Sequence, residues 1–214
     1  MTEIELRQQI VEVAQAIDRA GFCPSKSGNV SARFEGGLLI TPSGLPYAKT
    51  KAEDLIHLAL DGAVLSGAGK PSSEWPFHTE IYKARPDAQA IVHTHSPRAT
   101  ALASARRGIP AFHYMIALCG GDDVRCAEYA TFGSPELAAN AVKALEGRKA
   151  VLLANHGVIA LGGSLAGAHT IVAEVENLAG QYLDLLASGL KPVILDAAEM
   201  ARVSAKFSGY GKVG

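Results

Sequence analysis

The run Ile91-Val92-His93-Thr94-His95 limits what this chain can fold into more than any other segment. Its apolar, β-branched lead-in reads as a buried strand. Residues two apart on a strand point to one face, so His93 and His95 aim their rings at the same point. A third histidine stands far downstream in Asn155-His156-Gly157, at the end of what reads as another strand. A same-face pair closed by a third imidazole matches the ligand count of a catalytic zinc site, whose fourth position stays open for water or substrate. Plainer readings exist for each part. Seven histidines in 214 residues is no excess, a close pair can be ordinary polar residues at a strand end, and His156 by itself is a loop histidine.

A chain of 214 residues reads as one domain, residues 1–214, long enough to bury a substantial core. A net charge of −1 and the lack of any Lys/Arg run give no reason to expect nucleic acid or an anionic membrane as partner. Cys23, Cys119 and Cys126 are odd in number and share no C-x-x-C spacing, which argues against a disulfide framework and fits a reducing cytoplasm. The N-terminus is acidic where a signal peptide is basic, and no apolar run reaches the length of a membrane span. A soluble, cytoplasmic protein is the expectation.

Thr2 with Glu5 forms a capping box before a helix whose Leu6, Ile10, Val13 and Ile17 share a face, with Gly21 as its stop. Leu38 to Thr41 reads as a short strand followed by the turn Pro42-Ser43-Gly44. A helix is expected from near Glu74, another after Ser96-Pro97, and a third between Ser134-Pro135 and Gly147. Ala150 to Ala154 and Val158 to Leu161 read as paired strands about the His156-Gly157 turn. Ser164 opens a long helix to about Ser188, and a short tail helix is expected before Phe207-Ser208-Gly209-Tyr210. There is no G-x-G-x-x-G and no regular βαβ spacing. The pattern points to an α/β fold, a mixed or mainly antiparallel sheet covered by helices on both faces.

Three small polar motifs precede the histidines: Ser27-Gly28-Asn29-Val30-Ser31, Thr41-Pro42-Ser43-Gly44 and Ser72-Ser73-Glu74. Each offers hydroxyls and exposed N–H groups, the parts of an anion cradle, and Ser72 and Ser73 stand at a helix N-terminus that favours a phosphate. Any one of them alone is equally a turn or a helix cap. Glu74 is either a first-turn acid favoured by the helix dipole or a carboxylate beside the metal that moves a proton. His78, one helical turn further on the same face, reads as a residue behind the site or a structural one.

These motifs, with VHTH (92–95), IPAFHYMIALCGG (109–121), CAEYATFG (126–133), RKAVLLANHG (148–157), EVENLAGQYL (174–183) and KFSGYG (206–211), resemble the class II aldolase/adducin family, and within it the L-fuculose-1-phosphate aldolases. The resemblance implies a three-layer α/β/α domain with His93, His95, His156 and Glu74 around Zn²⁺, Glu74 also serving as acid/base. It implies phosphate contacts from Gly28, Asn29, Thr41, Ser43, Gly44, Ser72 and Ser73. Tyr114 would come from a neighbouring subunit to act on the aldehyde oxygen, and Tyr210 would act from a mobile tail. Phe132 and Phe207 would wall off the aldehyde's methyl group.

The implied activity is reversible cleavage of a ketose 1-phosphate to dihydroxyacetone phosphate and a short aldehyde, by a homotetramer with intersubunit sites. Epimerase, dehydratase or decarboxylase chemistry of the same family is the alternative, and a metal-free adducin-like interaction module a weaker one. Family epimerases carry Asp where this chain has Glu74. This chain departs from its implied relatives at Asn155, where they carry another histidine, and in a shorter, less charged tail.

Overall fold

The computed structural model describes residues 1–209; Tyr210 lies outside the described residues. Helix α1 (Glu3–Arg19) starts at the Thr2/Glu5 capping box and buries Ile10, Val11, Ala14 and Ile17. Strands β1 (Asn29–Phe34), β2 (Gly37–Ile40), β3 (Ile56–Ala59) and β4 (Val64–Ser66) follow as an antiparallel meander. Then come α2 (Trp75–Ala84), β5 (Ala90–Thr94), α3 (Pro97–Ser104) and the short strands β6 (Ile109–Pro110) and β7 (Asp123–Ala127). A 3-10 turn over Tyr114–Cys119 separates those two strands. The chain continues with α4 (Pro135–Ala144), the hairpin β8 (Ala150–Leu153) and β9 (Gly157–Gly162), then α5 (Leu165–Ala187) and α6 (Ala197–Gly209).

Among the described residues these strands form one sheet in the order β4-β3-β2-β1-β5-β9-β8-β7-β6. Only the β7–β8 pair is parallel. Strand alternation sorts the side chains into two cores. Val92, Val30, Leu152 and Val158 face α1, α3 and α5, whereas Ile91, Val151, Ile159 and Leu161 face α2 and α4. This is the mixed, mainly antiparallel three-layer α/β/α arrangement expected. The described helices include none long and apolar enough to cross a membrane.

Two elements differ from the sequence expectation. Asn29 to Phe34, whose first three residues belong to the polar motif at 27–31, is a central strand paired with both β2 and β5. Its alternation was hidden because both faces are buried: Val30 and Ala32 turn to the α1 side, while Asn29 and Ser31 are buried toward α2, where polar partners receive them. Phe207 lies within α6 rather than after it.

Candidate metal centre and anion cradle

The site lies where β5, β9 and the start of α2 meet. His93 projects from β5 on the face opposite Val92, fully buried, and His95 follows two residues later just past the strand end. His156 sits in the tight β8–β9 turn behind Asn155, whose φ of 54° is left-handed, a conformation asparagine tolerates well. Asn155 uses its side chain on Ser104 O and Arg106 Nε, not on the histidines.

Two glycines permit the crowding. A Cβ on Gly157 would stand 2.4 Å from Thr94 O and 2.9 Å from His95 Cδ2. One on Gly28, which has a φ of +83°, would stand 2.6 Å from His93 O. Gly28, just ahead of β1, and Gly157, at the start of β9, therefore let the chain on either side of β5 press against residues 93–95 through positions that take no side chain.

Pairwise, the three imidazole rings have centroids 4.9 Å apart and planes 74–87° from one another. Glu74, at the N-cap of α2, completes a set of four ligand atoms lying within 4.8 Å of one another. Oε2 is 3.0 Å from His93 Nε2 and Oε1 3.0 Å from His156 Nε2. His93 Nδ1 faces Val158 O at 2.9 Å, so Nδ1 carries a proton and, in the neutral ring, Nε2 presents the lone pair. That lone pair points at a carboxylate oxygen and, at 3.1 Å, at His95 Nε2. Lone pairs converging in this way repel unless a cation lies among them. Glu74 Oε1, buried and without a well-directed hydrogen bond, adds to the mismatch. The donor set, three imidazole nitrogens and one carboxylate oxygen, fits a divalent transition metal with room for one more ligand.

Burial pushes the Glu74 pKa up, but the neighbouring His93 and His156 outweigh it and hold the carboxyl well below the usual range. Burial and the neighbouring His93 and His156, opposed by Glu74, push His95 down to about 3. At neutral pH the group therefore offers an ionised carboxylate and an unprotonated ligand ring.

A cavity of about 320 Å³ opens beside this cluster, with Glu74, His95 and His156 in its wall. Gly28, Asn29, Ser43, Gly44, Ser72 and Ser73 line it too, so six of the seven residues expected at a phosphate come together there. Thr41 does not: alternation from Ile40 turns it into the sheet, where its hydroxyl accepts the Val30 N–H at 3.2 Å. Asn29 lines the cavity, but its amide is already engaged at both ends, by Glu74 and His78.

Sequence reasoning missed Lys26, the only Lys or Arg among the described lining residues, with Nζ 3.5 Å from Gly44 O. Ser25 and Lys26 both have left-handed φ, 57° and 65°, a local constraint that nothing in the residue pattern announces. Tyr129 was missed as well; it lines the same cavity and is half exposed.

Phe132 stands in that cavity's wall, 67% exposed on the turn before α4. Tyr114 and Phe207 do not. They line a separate groove with Phe112, His113 and Val203, their rings 6.4 Å apart and 12° from parallel. Within one chain, Phe132 and Phe207 therefore share no wall, because α6 packs Phe207 against the 3-10 turn that carries Tyr114.

Comparison with known proteins identifies relatives of the chain. Residues 8–183 match the model of the family described as Class II Aldolase and Adducin N-terminal domain. The 5-methylthioribulose-1-phosphate/5-deoxyribulose-1-phosphate aldolase of Rhodospirillum rubrum is 48% identical over 210 residues, covering 98% of this chain and 94% of that protein. The L-fuculose phosphate aldolase of Escherichia coli K12 is 43% identical over 212 residues, covering 99% and 98%. A solved structure of an L-fuculose 1-phosphate aldolase superposes with a TM-score of 0.93 at 41% identity, covering 97% of this chain and 98% of that one. With fold, length and sequence all shared with named members, the chain belongs to the class II aldolase and adducin family, whose aldolases are metal-dependent lyases.

Proposed function

We propose that this protein is a zinc-dependent aldolase that reversibly cleaves a ketose 1-phosphate to dihydroxyacetone phosphate and a short aldehyde. The observation that carries the reading is one cavity in which a Glu/His₃ group and a cradle of hydroxyls, N–H groups and Lys26 stand side by side. His93, His95 and His156, with Glu74 in the absence of substrate, would hold the Zn²⁺. When bound, the ion supplies Lewis-acid stabilisation of the oxyanion that forms as the carbon–carbon bond breaks.

The remaining work belongs to side chains. Ser43, Gly44, Ser72 and Ser73 grip the phosphate and so fix the donor half in register. Glu74 delivers the proton to the donor carbon that loses its aldehyde partner, and recovers it in the synthetic direction. Tyr114, reaching in from a neighbouring subunit of a tetramer, takes the hydroxyl proton as the aldehyde forms; its exposure on its own chain supports delivery in trans. Phe207 comes with it, facing the partner's Phe132 across the aldehyde. Tyr210, outside the described residues, is assigned to the same tail. Two apolar rings favour an aldehyde ending in methyl or methylthio over one ending in hydroxymethyl, by about 10–200-fold. Unpaired Cys23, Cys119 and Cys126 support a reducing cytoplasm as its location.

The test is a panel of ketose 1-phosphates, with fuculose, ribulose, 5-deoxy- and 5-methylthiopentulose members, read by coupled release of dihydroxyacetone phosphate. Release from the 5-deoxy or fuculose member supports the reading. A chain that only epimerises or decarboxylates these compounds, or purifies without metal, overturns it.

Two further results are expected. Lys26→Ala raises the inhibition constant of inorganic phosphate about tenfold, an effect that fades at high salt because the ammonium is exposed. Mixing inactive His95→Ala with inactive Tyr114→Phe subunits restores activity at hybrid sites; no recovery after verified exchange means each site is built from one chain.

A further inference from the structure

A buried line of hydrogen bonds runs through β1 and α2 and ends on Glu74. Tyr82 Oη lies 2.9 Å from Ser31 Oγ, and Ser31 Oγ 2.7 Å from His78 Nδ1. His78 Nε2 lies 2.5 Å from Asn29 Oδ1, and Asn29 Nδ2 donates to Glu74 Oε2 at 3.0 Å. Ser31 and His78 are fully buried, and Asn29 and Tyr82 are 1% exposed.

Donor and acceptor chemistry fixes the direction of every link. A carboxylate only accepts, so Asn29 turns its NH₂ to Glu74 and its carbonyl to His78. That carbonyl requires a proton on His78 Nε2. Burial above all, helped by His93 and opposed by Glu74, pushes the His78 pKa down to about 3, so the ring carries only that one proton. Nδ1 must then accept from the Ser31 hydroxyl, and Ser31 oxygen from the Tyr82 phenol. The line is polarised one way and closes on Oε2, which His93 also faces; Oε1 stands apart, toward His156.

We propose that His78 is a positioning residue. It sets the orientation of the Asn29 amide, which anchors Glu74 Oε2 and leaves Oε1 as the oxygen that carries the proton. The proposal rests on Glu74 being the proton carrier. A structural role alone, four buried polar groups satisfying each other, makes different predictions.

Glutamine at this position keeps a donor near the place of Nε2, whereas asparagine reaches only the place of Nδ1. In metal-loaded enzyme, His78→Asn is expected to lower kcat about 10–100-fold. KM, metal content and the inhibition constant of inorganic phosphate should stay put, and His78→Gln should keep most of the turnover. Equal losses in both variants, or a loss confined to KM or metal content, overturn the proposal. Should the histidine variants not fold, Ser31→Ala serves instead. It removes the donor to Nδ1 and should lower kcat several-fold with KM unchanged; unaltered kcat overturns the proposal.

Nitrogen-15 spectra of the wild-type enzyme provide a readout independent of activity: His78 should be the Nε2–H tautomer, and the Nδ1–H tautomer is fatal to the idea. Failure of the underlying reading is separable, since it shows as a Glu74→Gln enzyme that still turns over. Failure of this proposal alone shows as an inactive Glu74→Gln beside a fully active His78→Asn.

Discussion

Glu74→Gln is expected to keep its metal and lose turnover by about 10²–10⁴-fold, the usual contribution of a positioned proton-transfer group. The amide has the shape of the carboxylate, so the Asn29 contact at 3.0 Å and the start of α2 should survive. Three imidazole ligands remain. What disappears is a group that the surrounding histidines keep ionised against the cost of burial, and an amide cannot take up the proton. Metal analysis alongside release of dihydroxyacetone phosphate checks the result. Unchanged turnover would reduce Glu74 to a residue that begins a helix.

Removal of a ligand should have a larger effect. His95→Ala is expected to lose bound metal and, with it, all measurable turnover, while the fold persists. His95 suits the test because it lies just past the end of β5 and is only partly buried, whereas His93 is fully buried and tied to Val158 O. Truncating His95 opens no hole in either core. Wild-type protein should gain thermal stability on adding metal, about 2.7 kcal/mol at a concentration one hundred times the dissociation constant. The variant should gain almost none. A His95→Ala protein that purifies with one tightly held ion per chain would show that the ion sits elsewhere.

The part of the site legible in the sequence is the part that strand geometry controls. A period of two placed His93 and His95 on one face, and the paired strands around Gly157 brought His156 to them. The same rule, carried one residue past β2, accounts for Thr41: the turn motif looked like a cradle as a unit, but alternation sends this one hydroxyl inward. β1 was not legible because amphipathic patterning assumes one dry face. Here Asn29 and Ser31 are buried by partners some 45 residues downstream, which no local window contains. Lys26 depends on two left-handed residues in succession, and the place of Phe207 on where α6 stops. Tyr114 is a different matter: a single chain's sequence does not say whose active site its side chain enters.

The glycine contacts at Gly28 and Gly157 bear on the order of events when the protein folds. The four candidate ligands, at positions 74, 93, 95 and 156, meet only after β1 and β9 have closed on either side of β5. Those pairings span long stretches of chain and are slow to find. In the unfolded chain an ion therefore meets at most the local His93/His95 pair and not the four-donor site, so it is not expected to template the fold. It should leave the refolding rate alone and act almost entirely by slowing unfolding, the signature of an interaction absent from the transition state. A cell that starves this protein of metal would then accumulate correctly folded but short-lived chains rather than misfolded ones.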